Sequence, residues 1–333
     1  MTRLVVVGAG LIGSRHIKAV RQSPDCGLVA VVEPHKERSE ALGVPVYARI
    51  EDVRETADAA IIASPTPLHP EHVRAAAARG WAVLIEKPVA GSLADADAVI
   101  ETVKAAGIAS LVGHHRRHHQ SVARLREIVH GGRIGQPVLA SMIWAVKKPD
   151  AYFRGNWRSG GEGSPVMINA VHDIDLLRHL FGEVADVAAV GGAPVRGEAR
   201  VESGAVALRF AGGVSATLAF ADTTPSPWGF EAGTGENPNI ARTGQNMLWI
   251  AGTEGAVAFP SLHVWTGAAD WGQAPDSARE GVPATDPLAA QLRHFLDVIA
   301  GRAAPLIDAE DARSTLAVAV RIENALASAG EPA

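Results

Sequence analysis

The chain has 333 residues, of which 47% are hydrophobic and 20% are charged, and its formal net charge is -5. This length favours two domains, and the composition is typical of a folded globular protein rather than a disordered or fibrous one. The net negative charge excludes a global basic field that would hold nucleic acid or an anionic membrane.

The apolar runs and the cysteine count bear on the compartment. The run at residues 4–7 is too short for the core of a signal peptide, and glycines follow it instead of a cleavage site. No stretch approaches the ~18 apolar residues that a membrane span needs. The single cysteine, Cys26, excludes an internal disulfide and fits a reducing compartment. We therefore expect a cytoplasmic protein with neither nucleic-acid nor membrane partners.

The first third of the chain alternates short apolar runs with helix-like segments. Strands are predicted at residues 4–7, 28–32, 59–63, 82–85 and 109–112, and helices at 12–22, 71–79 and 94–106. The strands are continuously apolar, as expected when helices cover both faces of a sheet. Alternating βαβ units of this kind predict a parallel, doubly wound (Rossmann) sheet with right-handed crossovers. We assign residues 1–118 to this α/β domain.

The remaining residues, 119–333, form the second predicted domain, with several strands, turn-rich links and few helices. Strands are predicted at residues 137–146, 184–191, 201–210, 214–220, 247–252 and 255–259. Helices are predicted at residues 121–130, 172–181, 286–300 and 308–329, and a long loop at 225–244. This order predicts an α+β domain with a largely antiparallel open sheet.

A glycine-rich turn follows the first strand and opens the first helix. Its residues are Gly8, Ala9, Gly10, Leu11, Ile12 and Gly13. Gly8 permits the tight turn, Gly10 lets the backbone approach a pyrophosphate, and Gly13 allows close packing of the helix on the strand. The second strand ends at Glu33, where an acid binds the ribose hydroxyls of NAD. The pattern predicts a dinucleotide site, formed by the whole turn together with Glu33.

The residues around Glu33 also bear on the choice between NAD and NADP. A carboxylate there repels the 2′-phosphate of NADP, which favours NAD. His35, Lys36 and Arg38 follow closely and could supply the positive partner that NADP needs, so NADP stays open.

A proline-rich turn follows the third strand. Ser64, Pro65, Thr66 and His69 lie at the carboxyl end of a parallel strand, the edge that faces the ligand in such sheets. We expect these four residues to contact the cofactor. His72 lies on the following helix, where a structural role is favoured.

Glu86, Lys87 and Pro88 follow the buried strand at residues 82–85. A lysine at this end of a strand lies over the ligand crevice. The alternative is an exposed loop lysine that pairs with Glu86.

With these motifs the chain resembles the glucose-fructose oxidoreductase, inositol dehydrogenase and rhizopine-catabolism (Gfo/Idh/MocA) family over nearly its whole length. The resemblance rests on GAGLIG, SPTPLHPEHVRAAAARGWAVLIEKP, INAVHDIDLLRHLFG and DAEDARSTLAVAVRIENALASAG. It implies that Lys87 is catalytic and contacts both substrate and nicotinamide, with Glu86 beside the cofactor. It also implies a homodimer or homotetramer that associates through the open face of the second sheet.

The resemblance extends to the helix of the second domain. In many family members this helix opens with an Asp, then three residues, then a His that is the acid/base for the hydroxyl proton. We take Asn169 and His172 as the matching positions, with two residues between them in this chain and Asp175 one turn beyond. His172 thus inherits the acid/base role. Asn169 departs from the pattern, since an amide can bind a hydroxyl or orient His172 but cannot take its proton. Asp175 fits a structural role equally well.

Three further sites follow from the resemblance or from composition. Trp157 and Arg158 resemble a segment that reaches the nicotinamide in some members, and Arg117 matches an arginine beside the substrate. Arg117 lies in the histidine-rich run at residues 114–119, whose spacing would suit zinc only on a helix with a completing acid, so we expect no metal. Trp228 lies in the long loop and would cover a sugar ring, with Glu236, Asn237 and Asn239 around it; the alternative is a disordered or oligomer-contacting loop.

The resulting prediction is an NAD(P)-dependent enzyme that acts on CH–OH groups. It interconverts a secondary alcohol and a ketone on a sugar, inositol or other polyol-like substrate. The alternatives are a dihydrodiol dehydrogenase that acts on an aromatic cis-diol, an NAD-dependent glycoside hydrolase, and a non-catalytic dinucleotide sensor.

Overall fold

The computed structural model describes residues 1–35, 42–153, 163–196 and 201–328. In these ranges it has fourteen strands and eight α-helices. The strands are β1 (Thr2–Val7), β2 (Cys26–Val32), β3 (Val46–Tyr47), β4 (Ala59–Ile62), β5 (Ala82–Ile85), β6 (Ser110–Val112), β7 (Pro137–Ala145), β8 (Val184–Gly191), β9 (Ser203–Phe210), β10 (Ser215–Ala221), β11 (Leu248–Gly252), β12 (Gly255–Phe259), β13 (His263–Thr266) and β14 (Asp276–Arg279). The helices are α1 (Leu11–Gln22), α2 (His69–Ala78), α3 (Leu93–Ala106), α4 (Gln120–His130), α5 (Val171–Phe181), α6 (Phe230–Thr234), α7 (Pro287–Ile299) and α8 (Ala309–Ser328).

The chain divides into two compact units. The first contains Met1–His118 and Asp286–Ala317, and the second contains His119–Thr285 and the chain from Val318 onward. The sequence analysis placed all residues after 118 in one domain. Residues 286–317 instead pack with the first unit, because Leu292, Phe295 and Leu296 of α7 join its hydrophobic core.

The first unit is built on a six-stranded sheet in the order β3-β2-β1-β4-β5-β6. All of its pairs are parallel. The central strands β4 and β5 are buried along their whole length, as continuously apolar strands covered on both faces must be. The predicted doubly wound parallel sheet is therefore confirmed. β3 was not predicted, because two residues are too short to carry a pattern.

The second unit is built on an eight-stranded sheet in the order β14-β13-β12-β11-β7-β10-β9-β8. Its pairs are antiparallel except for β7 with β10, which confirms the predicted largely antiparallel sheet. Burial alternates along β9 and β10. The buried face packs against α4, α5 and the end of α8, and the opposite face carries exposed side chains.

Four elements of the second unit differ from the sequence expectations. The segment predicted as a continuous loop at residues 225–244 contains the short helix α6. β13 and β14 were not predicted, since β14 is exposed throughout and lacks an alternating pattern. The helix predicted at residues 172–181 is preceded by a π-helical turn at Val166–Ala170. In the portion of the chain that the structure describes, no helix combines the length and apolarity that crossing a membrane requires.

Candidate active site

The glycine-rich turn between β1 and α1 has the geometry of a close-approach loop. Gly8 has a φ of +96°, and a Cβ on it would lie 2.6 Å from the carbonyl oxygen of Ala63. A Cβ on Gly13 would collide with the carbonyl group of Gly8. At Gly10, by contrast, no described atom lies within 4 Å of the position that a Cβ would take. Two glycines are therefore required by packing, whereas the third leaves room for a ligand against the backbone.

Glu33 at the end of β2 is buried and bonded to this turn. Its Oε2 accepts a hydrogen bond from the backbone N–H of Ala9 at 2.9 Å, and its Oε1 accepts one from the N–H of His35 at 3.1 Å. The acid that was predicted to bind ribose thus also holds the glycine-rich turn in place. Leu11 is 70% exposed beside it, and Ile12 is half-buried. Lys36 and Arg38, which kept NADP open, lie outside the described residues.

The turn after β4 contains the four predicted contact residues. Ser64 and Thr66 are half-buried and Pro65 is exposed. The Oγ of Ser64 lies 2.8 Å from Nδ1 of His72, so His72 has the structural role that the sequence favoured.

His69 differs from the expectation of a direct donor to the cofactor, because it is only 1% exposed. Its Nε2 lies 3.0 Å from the carbonyl oxygen of Ser64, and its Nδ1 lies 3.1 Å from that of Pro88. Burial lowers the pKa of His69 below its usual value. The ring therefore joins the turn after β4 to the turn after β5, and so positions both.

Glu86 and Lys87 follow β5. Glu86 is buried, its Oε1 lies 2.7 Å from Nε2 of His16 on α1, and its Oε2 accepts a hydrogen bond from the backbone N–H of Lys87 at 3.2 Å. Burial by itself raises the pKa of Glu86, but the hydrogen bond and charge of His16, with the charges of Lys87 and His115, lower that pKa to about 2. Glu86 is therefore an ionised carboxylate inside the unit, next to a half-buried Lys87.

The histidine-rich run lies largely inside the first unit. Residues 115–118 form a 3₁₀ turn, in which His115, Arg116 and Arg117 are buried. Nη1 of Arg117 lies 2.6 Å from Oδ2 of Asp311 at the start of α8. In the described ranges, no three His, Cys, Asp or Glu side chains lie together so that they could hold a metal ion. The substrate contact of Arg117 stays a prediction, and its observed carboxylate partner is Asp311.

The second unit presents Asn169 and His172 at the start of α5. Asn169 lies in the π-helical turn and His172 in the first turn of the α-helix. The Oδ1 of Asn169 is buried without a hydrogen-bond partner among the described residues, which leaves an acceptor for a ligand. His172 is 6% exposed and Asp175 is 1% exposed. Asp175 thus lies in the interior, where a structural role would place it.

The π-helical turn is anchored by a side chain from α8. The hydroxyl of Ser164 donates to Oε1 of Glu323, and its oxygen accepts from the N–H of Val166 at 3.0 Å. Burial raises the pKa of Glu323, and the hydrogen bond from Ser164 opposes that shift in part. A half-buried carboxyl group therefore helps to fix the backbone that leads into Asn169 and His172.

The segment around Trp228 is held against the end of β7. The carbonyl oxygen of Trp228 accepts from the N–H of Ala145 at 2.8 Å, and the hydroxyl of Ser226 donates to the carbonyl oxygen of Ala145 at 2.6 Å. The Trp228 side chain is 41% exposed and available to cover a ligand. Glu236, Asn237 and Asn239 follow α6, where Asn237 accepts from the N–H of Asn239 at 3.1 Å. Trp157 and Arg158 lie outside the described residues.

Sequence reasoning missed two groups of buried charges. One is His16, whose bond to Glu86 joins residues 70 positions apart. The other lies in the second unit, where Nη1 of Arg196 lies 2.7 Å from Oδ1 of Asp222 and Nζ of Lys148 lies 5.0 Å from the Tyr152 ring centre. No local pattern links such distant positions. An ionisable residue within an otherwise apolar strand or helix is only a weak signal that it has a buried partner.

Together, the parallel sheet, the open glycine-rich turn and the carboxylate at the end of β2 define a dinucleotide-binding fold of the Rossmann type. Two family models match the chain, one in each half. The model of an oxidoreductase family with an NAD-binding Rossmann fold matches residues 2–114, and the GFO/IDH/MocA C-terminal domain matches residues 122–258. The chain belongs to the Gfo/Idh/MocA family of oxidoreductases.

Two curated relatives indicate which members the chain is similar to. It is 31% identical to the myo-inositol 2-dehydrogenase of Thermotoga maritima over 63% of this chain and 66% of that protein. It is also 31% identical to the scyllo-inositol 2-dehydrogenase (NAD(+)) of Bacillus subtilis over 57% of this chain and 56% of that protein. The chain thus matches less than two thirds of the length of either relative.

A solved structure shows the same fold. An oxidoreductase from Agrobacterium radiobacter, crystallised in complex with NAD+, L-tartaric acid and magnesium, aligns with a TM-score of 0.82. The alignment covers 98% of this chain and 96% of that chain at 16% identity.

Proposed function

We propose that this protein interconverts a secondary alcohol and a ketone with NAD(H), on a sugar, inositol or other polyhydroxylated small molecule. The observation that carries the proposal is the placement of Lys87. It follows β5 in the NAD-binding unit, and Glu86 beside it is bonded to the helix that the glycine-rich turn opens. The inositol dehydrogenases among the relatives support the polyol class.

The residues of the first unit fit a bound NAD. The open backbone at Gly10 receives the pyrophosphate at the N-terminus of α1, and the turn at Ser64, Pro65 and Thr66 lines the same edge of the sheet. Glu33 binds the ribose hydroxyls and favours NAD over NADP. When bound, the nicotinamide supplies or accepts the hydride.

The protein's own groups then handle the proton and the charge on oxygen. His172 accepts the hydroxyl proton of the substrate during oxidation and returns it during reduction. Lys87, as an ammonium, stabilises the negative charge that develops on the same oxygen. Asn169 binds a substrate hydroxyl through its Oδ1, which has no hydrogen-bond partner among the described residues, and it cannot replace His172 as a base. Arg117 and Trp228 complete the proposed substrate contacts.

We also propose that the protein is a cytoplasmic homodimer or homotetramer. The exposed face of the second sheet supports this association. It carries mainly small and apolar side chains on adjacent strands, among them Leu139, Ala188, Ala207, Thr217 and Trp249. A second copy would cover this face. The single cysteine fits a reducing compartment.

The experiment is a panel of inositols, aldoses, polyols and aromatic cis-diols, assayed with NAD+ for NADH formation. Turnover of an inositol or sugar supports the proposal, and turnover of the cis-diols alone would favour a dihydrodiol dehydrogenase. Glycoside cleavage without net NADH formation would indicate a hydrolase. NADH binding without any turnover would indicate a sensor.

On the substrate so found, Lys87→Ala is expected to lower kcat at least about a hundredfold, because an electrostatic and hydrogen-bonding group is lost from the reacting oxygen. NADH binding, measured by fluorescence titration, should survive. The matched control is Lys18→Ala, which removes an exposed lysine from α1. Equal turnover in Lys87→Ala and Lys18→Ala would contradict the assignment.

A further inference from the structure

The strongest unexplained feature is a buried glutamate–histidine pair that the chemistry above does not use. Glu86 is 4% exposed and His16 is 2% exposed, and their side chains meet at 2.7 Å. A carboxylate inside a protein is costly unless its oxygens are bonded. Here both oxygens are bonded, Oε1 to His16 and Oε2 to the backbone N–H of Lys87.

The space around this carboxylate is closed. A Cβ on Gly113, the residue after β6, would lie 3.0 Å from Oε1 of Glu86. His69 holds the following residues through the carbonyl oxygens of Pro88 and Val89, at 3.1 Å and 3.3 Å from its Nδ1. The backbone of Lys87 is therefore fixed on both sides, by a carboxylate before it and a buried ring after it.

The charged and titratable groups around Glu86 come from four elements. They are His16 on α1, His115 in the 3₁₀ turn after β6 and Lys87 itself, while His69 on α2 in turn feels the charge of Glu86. Of these, Lys87 is the half-buried one. The negative charge of Glu86 thus acts on a neighbouring ammonium in a region of low dielectric, where charges interact strongly.

We propose that Glu86, held by His16, is a positioning residue that fixes Lys87 at the carboxyl end of β5 and keeps it in the ammonium form. This inference rests on the proposed function only in taking Lys87 as the group that meets the reacting oxygen. The bond from His16 also ties the Lys87 turn to the helix opened by the glycine-rich turn. The helix that follows the dinucleotide loop and the backbone of the proposed catalytic lysine are therefore joined through the buried side chains of His16 and Glu86.

The test measures the protonation of Lys87 directly, without any substrate. The full-length protein is labelled with trace acetic anhydride at a series of pH values, with NADH present, and the Lys87 peptide is quantified by mass spectrometry. Glu86→Gln keeps the acceptor oxygen and removes the charge. Because a nearby opposite charge shifts a pKa by one to three units, we expect the Lys87 midpoint to fall by about one pH unit. Glu101→Gln, an exposed change on α3, should leave it unchanged.

A second variant protects the test against a folding failure. His16→Leu/Glu86→Met removes both polar side chains, including the Glu86 charge, and fills their volume, a replacement that proteins often tolerate. It should show the same downward shift of the Lys87 midpoint, with NADH binding as evidence of folding. An unchanged midpoint in either folded variant would overturn the inference, since a merely structural pair would not alter the charge of Lys87.

The same variants separate this inference from the proposed function. If a substrate is found, the alkaline limb of the kcat profile should move down in Glu86→Gln by the same amount as the labelling midpoint. If the labelling midpoint shifts and no substrate is turned over, the charge-setting role stands and the dehydrogenase proposal fails. If the kcat profile moves while labelling does not, the inference fails and the dehydrogenase proposal stands.

Discussion

Each unit contains a glutamate that holds part of its proposed site, and the pKa values of these two glutamates are shifted in opposite directions. Glu86 in the first unit has a pKa of about 2, whereas burial raises the pKa of Glu323 in the second unit. The difference lies in their partners. Glu86 contacts a histidine and lies next to a lysine, whereas the partner of Glu323 among the described residues is the hydroxyl of Ser164. Burial alone therefore does not set the state of a carboxyl group; the charge of its neighbours does.

This contrast also separates what each glutamate does. The ionised Glu86 acts on Lys87 by charge as well as by hydrogen bonding. Glu323 acts as an acceptor that holds the backbone at Ser164, two residues before the π-helical turn begins. The first unit thus tunes its proposed catalytic group electrostatically, and the second fixes its groups by geometry.

The largest effect that tests the comparison is kinetic. His172→Ala is expected to lower kcat by about 10²–10⁴-fold, because the acceptor for the hydroxyl proton is removed. NADH binding should remain, since the glycine-rich turn and Glu33 belong to the first unit. Steady-state kinetics and NADH titration measure the two quantities, with the exposed His130→Ala on α4 as control. If His172→Ala lost NADH binding while His130→Ala kept it, NADH binding would not belong to the first unit by itself, and the comparison would fail.

The next effect is on stability in the first unit. His16→Leu removes the side-chain partner of an ionised, buried Glu86, and should lower the free energy of unfolding by about 3–5 kcal/mol. Urea unfolding near neutral pH measures this loss. His16→Leu/Glu86→Met should recover most of it, because the unpaired charge is gone. A single variant as stable as the double variant would mean that the pair carries no buried charge.

The smallest effect is the pH dependence of stability, where the two glutamates should differ in sign. The ionised Glu86 contributes to the free energy of unfolding above its ordinary pKa of 4.5, and this contribution is lost as the pH falls toward its pKa of about 2 in the folded protein. The contribution amounts to about 3 kcal/mol. The protonated Glu323 contributes to the free energy of unfolding below pH 4.5, its ordinary pKa, and this contribution is lost as the pH rises through its raised pKa in the folded protein. It amounts to at most about 1 kcal/mol, the scale of one hydrogen-bonded group.

Melting temperatures of Glu86→Gln and Glu323→Gln across acidic and neutral pH separate these contributions. Glu86→Gln should flatten the acid side of the profile. Glu323→Gln should instead gain relative stability as the pH rises, because its amide mimics the protonated acid. Parallel profiles for the two variants would contradict the comparison.

The sequence predicted the candidate site better in the first unit than in the second. Lys87, Glu33 and the turn at Gly8 all lie at the ends of parallel strands, and such ends meet at one edge of the sheet. Alternation and apolar runs are enough to locate those strands. His69 illustrates the limit, since its position was predicted but its bonds to the carbonyl oxygens of Ser64 and Pro88 were not.

In the second unit, local pattern located α5 but not the π-helical turn before it. That turn depends on Ser164 and Glu323, which are 159 residues apart. The ion pair of Arg196 and Asp222 was missed because its members are distant in sequence. The short strand β14 pairs with the neighbouring β13 and was missed because its exposed residues leave no periodic signal.

The sequence by itself determined the class of fold, the dinucleotide turn and the residue types available for chemistry, because periodicity, glycine spacing and strand ends are local properties. Only the tertiary structure decided which partners surround each buried charge, that residues 286–317 pack with the first unit, and that Asn169 keeps an acceptor without a described partner. Those outcomes depend on solvent exclusion and on contacts between remote segments, and neither is written in any single stretch of the chain.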